Sequence, residues 1–191
     1  DSAEGAVNGI AFSPDGRRLA GALANGTGKL WRVMDGILLA LTAQPTFPLW
    51  AAAYSPDGRY VLTGGENGRI DLYDIAWDHT NYSLRIPFAV TRAQWSPVGL
   101  LYALLTSNGV EIHEIGGILT RQFPGVGLED LSFSADGGSL AIAGREILQV
   151  MDVGSGKERY ARYDPDRGYP TAVAYSGNGA FLAVGRSDGT I

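Results

Sequence analysis

The chain has no cysteine. That excludes disulfides and thiolate metal sites, and it leaves the compartment open, because such a composition suits oxidising and reducing spaces alike. Histidine is almost as scarce, with only His79 and His113. No apolar run approaches the 18 residues that a membrane-spanning helix needs, so no membrane-spanning segment is expected. Positive charge is not in excess: 15 basic residues face 20 acidic ones, a net charge of −5, which gives no general attraction to nucleic acid. No segment keeps apolar residues three and four apart over three turns, so helix content should be close to nil. What the chain has in abundance is glycine, 27 residues, with an apolar fraction of 45%. Both suit a globular fold built from short strands and many turns.

The glycines are not scattered. A pentapeptide recurs as Phe12-Ser13-Pro14-Asp15-Gly16, Tyr54-Ser55-Pro56-Asp57-Gly58, Trp95-Ser96-Pro97-Val98-Gly99, Phe133-Ser134-Ala135-Asp136-Gly137 and Tyr175-Ser176-Gly177-Asn178-Gly179. Its closing glycines stand 42, 41, 38 and 42 residues apart. A fixed period of that length marks a repeat architecture. In each copy an apolar run ends in an aromatic, and Ser-Pro-Asp-Gly then reverses the chain. Pro presets φ, Asp bonds the backbone ahead and Gly accepts a positive φ. A second apolar run follows, then a second turn at Asn25-Gly26, Asn67-Gly68, Asn108-Gly109 and Asp188-Gly189, a strong hairpin signal. The third run alternates with period two, as in Ile70-Asp71-Leu72-Tyr73-Asp74-Ile75, and a less regular fourth run closes the unit.

Four short strands per period make one antiparallel blade, which buries both faces against neighbouring blades. The expected fold is an all-β propeller of four-stranded antiparallel blades, with about 4.7 repeats (191/41). The boundaries fall near residues 7–48, 49–89, 90–127, 128–169 and 170–191, within one propeller region spanning 1–191. The last repeat stops inside its expected third strand, at Asp188-Gly189-Thr190-Ile191. The expectation is therefore a C-terminally incomplete part of a six- to eight-bladed ring, continuing past Ile191. Asp1 is not an initiator Met, and a leader or anchor before it would leave no trace here.

On these motifs the chain resembles the WD-repeat propellers over nearly all of its length. Gly28-Lys29-Leu30-Trp31-Arg32-Val33 and Gly68-Arg69-Ile70-Asp71-Leu72-Tyr73-Asp74-Ile75 are similar to the family's third strand with its Trp-Asp ending. His113-Glu114 and Met151-Asp152 depart from that ending. No Gly-His dipeptide occurs, so the family's Asp-His-Ser-Trp network has no counterpart. The Ser-Pro-Asp-Gly turns and Val150-Met151-Asp152 also resemble the periplasmic Tol-type propellers, which stay open as the alternative.

The residues offer little chemistry. Asp15, Asp57 and Asp136 recur because the turn recurs. Asp74, Glu114 and Asp152 recur at third-strand ends and read as structural. His113 occupies the slot of Trp31 and Tyr73, which makes it a packed strand residue, and His79 falls in an expected turn. Gly26-Thr27-Gly28-Lys29 lacks phosphate-loop spacing and a following helix. Asp152-Val153-Gly154-Ser155-Gly156-Lys157-Glu158-Arg159-Tyr160 is similar to the docking repeat of quinoprotein propellers, but it occurs once and reads equally as a turn. No catalytic residue, metal ligand or cofactor is assigned.

The connections from each fourth strand to the next first strand should share one face. Aligned on the pentapeptide, Asn8, Trp50, Thr91, Glu129 and Thr171 occupy one slot, and Gly9, Ala51, Arg92, Asp130 and Ala172 the next. Slots whose chemistry changes from repeat to repeat are available for recognition. The expected partner-binding residues are Phe47, Trp50, Arg92, Glu129, Asp130, Arg167 and Tyr169. Trp77-Asp78-His79-Thr80-Asn81-Tyr82 reads as a long aromatic loop on the opposite face. The expected function is a non-enzymatic scaffold module that binds a protein partner, as a domain or subunit of a larger assembly, with no nucleic-acid partner. The alternative is a ligand-binding or catalytic propeller, hydrolase-, lactonase- or quinoprotein-like, with a central-channel site. Such a site would need carboxylates or histidines among first-strand runs that are mostly small and apolar.

Overall fold

The computed structural model describes residues 5–43, 47–76, 79–162 and 168–191. Its turns show why the pentapeptide repeats. The Ser13 hydroxyl donates to Asp15 Oδ1 at 2.6 Å and accepts the Arg18 amide at 2.9 Å, while Asp15 accepts the Arg17 amide at 3.0 Å. The same triangle forms at Ser55–Asp57, Ser134–Asp136 and Ser176–Asn178. The third repeat has Val98 where the carboxylate would be, and there Ser96 Oγ accepts only the Val98 amide, at 3.4 Å. The recurring aspartates are thus turn residues. The hydroxyl of Ser13, then the Arg17 amide, hold Asp15 below the ordinary carboxylate range, and Ser134 and the Gly138 amide do the same for Asp136.

Among the described residues there are eighteen strands and no helix. Repeat one supplies β1 (Val7–Phe12), β2 (Arg18–Leu23), β3 (Thr27–Arg32) and β4 (Leu38–Ala43), and repeat two β5 (Leu49–Tyr54), β6 (Tyr60–Gly65), β7 (Arg69–Asp74) and β8 (His79–Arg85). Each set is an antiparallel sheet in chain order. Repeat three supplies β9 (Val90–Trp95), β10 (Leu101–Thr106), β11 (Gly109–Glu114) and β12 (Leu119–Pro124). Repeat four gives a further sheet in chain order, β13 (Leu128–Phe133), β14 (Ser139–Gly144), β15 (Ile147–Asp152) and β16 (Glu158–Arg162). Repeat five contributes the pair β17 (Pro170–Tyr175) and β18 (Leu182–Arg186).

One expectation is corrected here. His79 lies in β8 opposite Asp74, not in a turn, so the fourth strand of repeat two starts three residues before Tyr82. A bulge between Leu72 and Tyr73 shifts the register and lets β7 pair on to its end. Trp77 and Asp78 lie outside the described residues.

The chain divides into two compact units, Asp1–Trp95 and Ser96–Ile191. In the first, β5 packs on β1 and β2, and β9 packs on β5 and β6. The approach is close: a Cβ on Gly9 would stand 2.6 Å from Trp50 O, backbone that cannot yield, so only glycine fits. Ala20, Leu30, Val61 and Tyr73 form a buried cluster with Ala52, Tyr54 and Ile75 against it. Trp95 Nε1 donates to Ala53 O at 3.3 Å and its ring stacks on Tyr60.

In the second unit β17 packs on β13 and β14. One core there joins Leu105, Val110, Ile112 and Phe123 to Leu131, Phe133, Leu140 and Ile142, all nearly or fully buried. Ala141, Ala143, Leu148 and Val173 form a second cluster. The four-residue polar set at Asp130, Ser132, Val173 and Tyr175 joins the same two repeats: Asp130 Oδ2 accepts the Val173 amide and Ser132 Oγ the Tyr175 amide, both at 3.0 Å.

Candidate interaction face

The first strands share a defect. Register shifts fall between Val7 and Gly9, Leu49 and Ala51, Leu128 and Asp130, and Pro170 and Ala172. The residue inside each shift is Asn8, Trp50, Glu129 or Thr171, the first of the two variable slots. A bulge takes its extra residue out of the ladder and re-aims the side chain. Two of the four turn back on the fold: Asn8 Nδ2 donates to Leu49 O at 2.8 Å and Thr171 Oγ1 to Gly185 O at 3.2 Å. Glu129 meets Arg145. Trp50 is 41% exposed, a large aromatic left in water.

The second slot behaves differently. Gly9 and Asp130 face the first strand of the following repeat, Gly9 by close packing and Asp130 through the Val173 amide. Asp130 therefore has a bonding role inside the fold. Arg92 is exposed on β9.

In the first unit, Phe47 and Trp50 bracket an anchored dipeptide. Pro48 O accepts the Glu66 amide at 3.0 Å and Leu49 is buried, while Phe47 is 47% exposed. In the second unit, Tyr169 is fixed by its neighbours: its carbonyl accepts the Ser187 amide at 2.9 Å, and the adjacent Gly168 bonds both Asp188 and Arg186. Over the Tyr169 ring lies the Arg145 guanidinium, Cζ 5.8 Å from the centroid, and Arg145 Nε donates to Glu129 Oε1 at 3.3 Å. Glu129 and Tyr169 are thus brought together by a residue that the sequence reading omits. Its only signal was negative: the second turn of repeat four reads Gly144-Arg145-Glu146, where other repeats carry Asn-Gly or Asp-Gly. Arg167 lies outside the described residues.

Elsewhere the polar groups serve the fold. His113 is buried and stacked on Tyr102, with Nε2 2.9 Å from Glu111 Oε2 and Nδ1 3.2 Å from Gly117 O. Asp152 accepts the Ser155 amide at 2.7 Å and its hydroxyl at 2.8 Å, and it pairs with Arg159. Those bonds, the Ser155 amide foremost and the Arg159 guanidinium next, hold its carboxyl far below the usual range. The quinoprotein-like stretch is therefore a closed turn between β15 and β16. No group of His, Asp and Glu among the described residues is arranged to hold a metal. A cleft of about 20 Å³ between β3, β6 and β7, lined by Lys29, Thr63 and Asp71 among others, is the size of one water.

The family model "WD domain, G-beta repeat" matches residues 2–32, 38–74 and 162–191, together just over half of the chain. The chain belongs to the WD40-repeat family. Among curated proteins it is similar to the Danio rerio "WD repeat, SAM and U-box domain-containing protein 1", 32% identical over 80 residues. That alignment covers 41% of this chain and 16% of the relative. Among solved structures, the β-propeller domain of Cps50 (Swd1) from Myceliophteria thermophila superposes with a TM-score of 0.83 at 17% identity. It is covered over 63% of its length, and 96% of this WD40 chain takes part. Kuenenia stuttgartiensis hydrazine synthase matches with the same TM-score at 20% identity, over 96% of this chain and 56% of that one. At these identities the structural likeness speaks to fold alone. The WD40 chain spans less than two thirds of each of these relatives. The fold is a β-propeller of four-stranded blades, and no helix among the described residues is long and apolar enough to cross a membrane.

Proposed function

We propose that this WD40 chain is a non-enzymatic interaction module, a domain or subunit of a larger assembly, and that it docks a protein partner. The docking residues are Phe47, Trp50 and Arg92 in the first unit and Glu129, Asp130, Arg167 and Tyr169 in the second, where Asp130 also holds β17 through the Val173 amide. The observation that carries the reading is the repeated first-strand bulge. It frees one residue from the ladder in each of four repeats, and Trp50, the aromatic placed there, stays exposed. Exposed aromatics and arginines on a rigid backbone are the side chains that dominate interfaces, because they bury much area at little entropic cost.

The test is the Trp50→Ala protein. Its affinity for the partner captured by photocrosslinking from position 47 should fall by about 2 kcal/mol or more, with the urea midpoint unchanged. If Trp50 were a core residue, the substitution would instead cost about 3–5 kcal/mol of stability and leave folded-state affinity intact.

A further inference from the structure

We infer that Arg145 is a carboxylate-reading residue of the docking face, and that the partner presents an aspartate, glutamate or C-terminal carboxylate to it. The inference rests on the docking reading above and names the chemistry that this part of the face accepts.

The observation is how this guanidinium spends its donors. Arg59 gives Nη2 to Asp74 at 2.9 Å, Arg159 gives Nη1 to Ser139 at 2.9 Å and Nη2 to Asp152, and Arg186 gives Nη1 to Gly168 O at 2.9 Å. Those arginines use their terminal nitrogens to close their own fold. Arg145 bonds Glu129 through Nε alone, and among the described residues nothing accepts from its Nη1 or Nη2. Its side chain is 67% exposed.

The free edge is held in place. The Arg145 amide donates to Gly127 O at 3.0 Å, which seats the β14–β15 turn on the segment leading into β13. Glu129 fixes the Nε side, and the Tyr169 ring supports the guanidinium plane. Tyr169 is itself pinned through the Ser187 amide. As a stability device, an ion pair this exposed contributes little. As a binding device it removes most of the entropy that a free arginine would lose, and it presents two parallel N–H groups whose spacing matches a carboxylate.

The surroundings sharpen the choice. Glu129 bonds this guanidinium, Glu146 follows it in sequence, and Asp188 accepts the amide of Gly168 next to Tyr169; that negative charge disfavours a loosely held anion. Recognition must then come from the bidentate fork and not from charge alone. That separates arginine from lysine at this position.

The test uses the intact protein, isotope-labelled for NMR, titrated with sodium acetate, inorganic phosphate and sodium chloride at matched ionic strength. Acetate should shift the Arg145 Nε and Tyr169 ring signals with saturation, and chloride should not. Arg145→Lys, which keeps the charge, should weaken the acetate response about tenfold, the equivalent of one charge-assisted hydrogen bond. Equal responses to acetate and chloride, or a lysine variant that responds as the parent does, would overturn the inference. A response to phosphate without one to acetate would overturn the carboxylate assignment. If acetate fails at Arg145 while Trp50→Ala still weakens the partner, Arg145 is removed from the face and the docking reading stands. If acetate binds but Trp50→Ala has no effect, the docking reading falls on its own.

Discussion

Asp130 is the residue at which the sequence pattern and the folded chain point in different directions, and its removal distinguishes them. In the slot alignment it looks like a surface acid free to meet a partner. In the structure its Oδ2 accepts the Val173 amide at 3.0 Å, and Val173 is 6% exposed in a core shared with Ala141, Ala143 and Leu148. Asp130→Ala leaves that buried N–H without its acceptor. A buried donor stripped of its partner costs about 1–3 kcal/mol, with bonds to charged acceptors toward the upper part of that range. Asp130→Asn keeps an oxygen at the same reach and should recover most of the loss. The assay is urea unfolding of the two variants beside the parent, with hydrogen exchange read at the Val173 amide. The alanine variant should lower the unfolding free energy by about 1–3 kcal/mol and speed exchange at Val173, and asparagine should restore both. An alanine variant as stable as the parent, with Val173 equally protected, would show that the bond between these repeats contributes nothing.

Other consequences follow from single groups. Asp188, bonded by the Thr190 hydroxyl, the Thr190 amide and the Gly168 amide, has its pKa lowered to about 2. Because the folded value lies below the unfolded one, its stabilisation is complete above about pH 4 and is lost as the pH falls through about 2. A carboxyl NMR titration should place its midpoint there, and Thr190→Ala should move it upward; an ordinary aspartate midpoint would contradict the bonding described. The Thr63 hydroxyl is buried in the cleft beside Lys29 and Asp71 with no hydrogen-bond partner among the described residues. Thr63→Val keeps the shape and should leave the urea midpoint unchanged or higher, whereas a loss above about 1 kcal/mol would reveal a bond that the hydroxyl does make.

What the sequence made legible was local chemistry. Ser-Pro-Asp-Gly specifies its turn through bonds among residues within five positions of one another, so the aspartates at 15, 57 and 136 could be assigned without coordinates. The hairpin strands between the turns followed for the same reason. What stayed hidden depends on neighbours distant in sequence. The first-strand bulges in β1, β5, β13 and β17 leave no mark in composition, which showed that the slots vary but not that Trp50 leaves the ladder while Asp130 is bonded within the fold. The start of β8 at His79 goes with a register shift in which Asn81 of β8 is skipped opposite Leu72 and Tyr73. Arg145 was missed because its role comes from Glu129 and Tyr169, one 16 residues before it and the other 24 after.

The central claim is that partners dock through the residues at the first-strand bulges, Trp50 above all. Photocrosslinking with a benzophenone amino acid tests it most directly, at position 50 and, as control, at position 155 in the β15–β16 turn. The account predicts a partner adduct from position 50 that an excess of the parent protein suppresses, and none from position 155. A partner adduct from 155 with none from 50 would place the interface elsewhere and contradict the account.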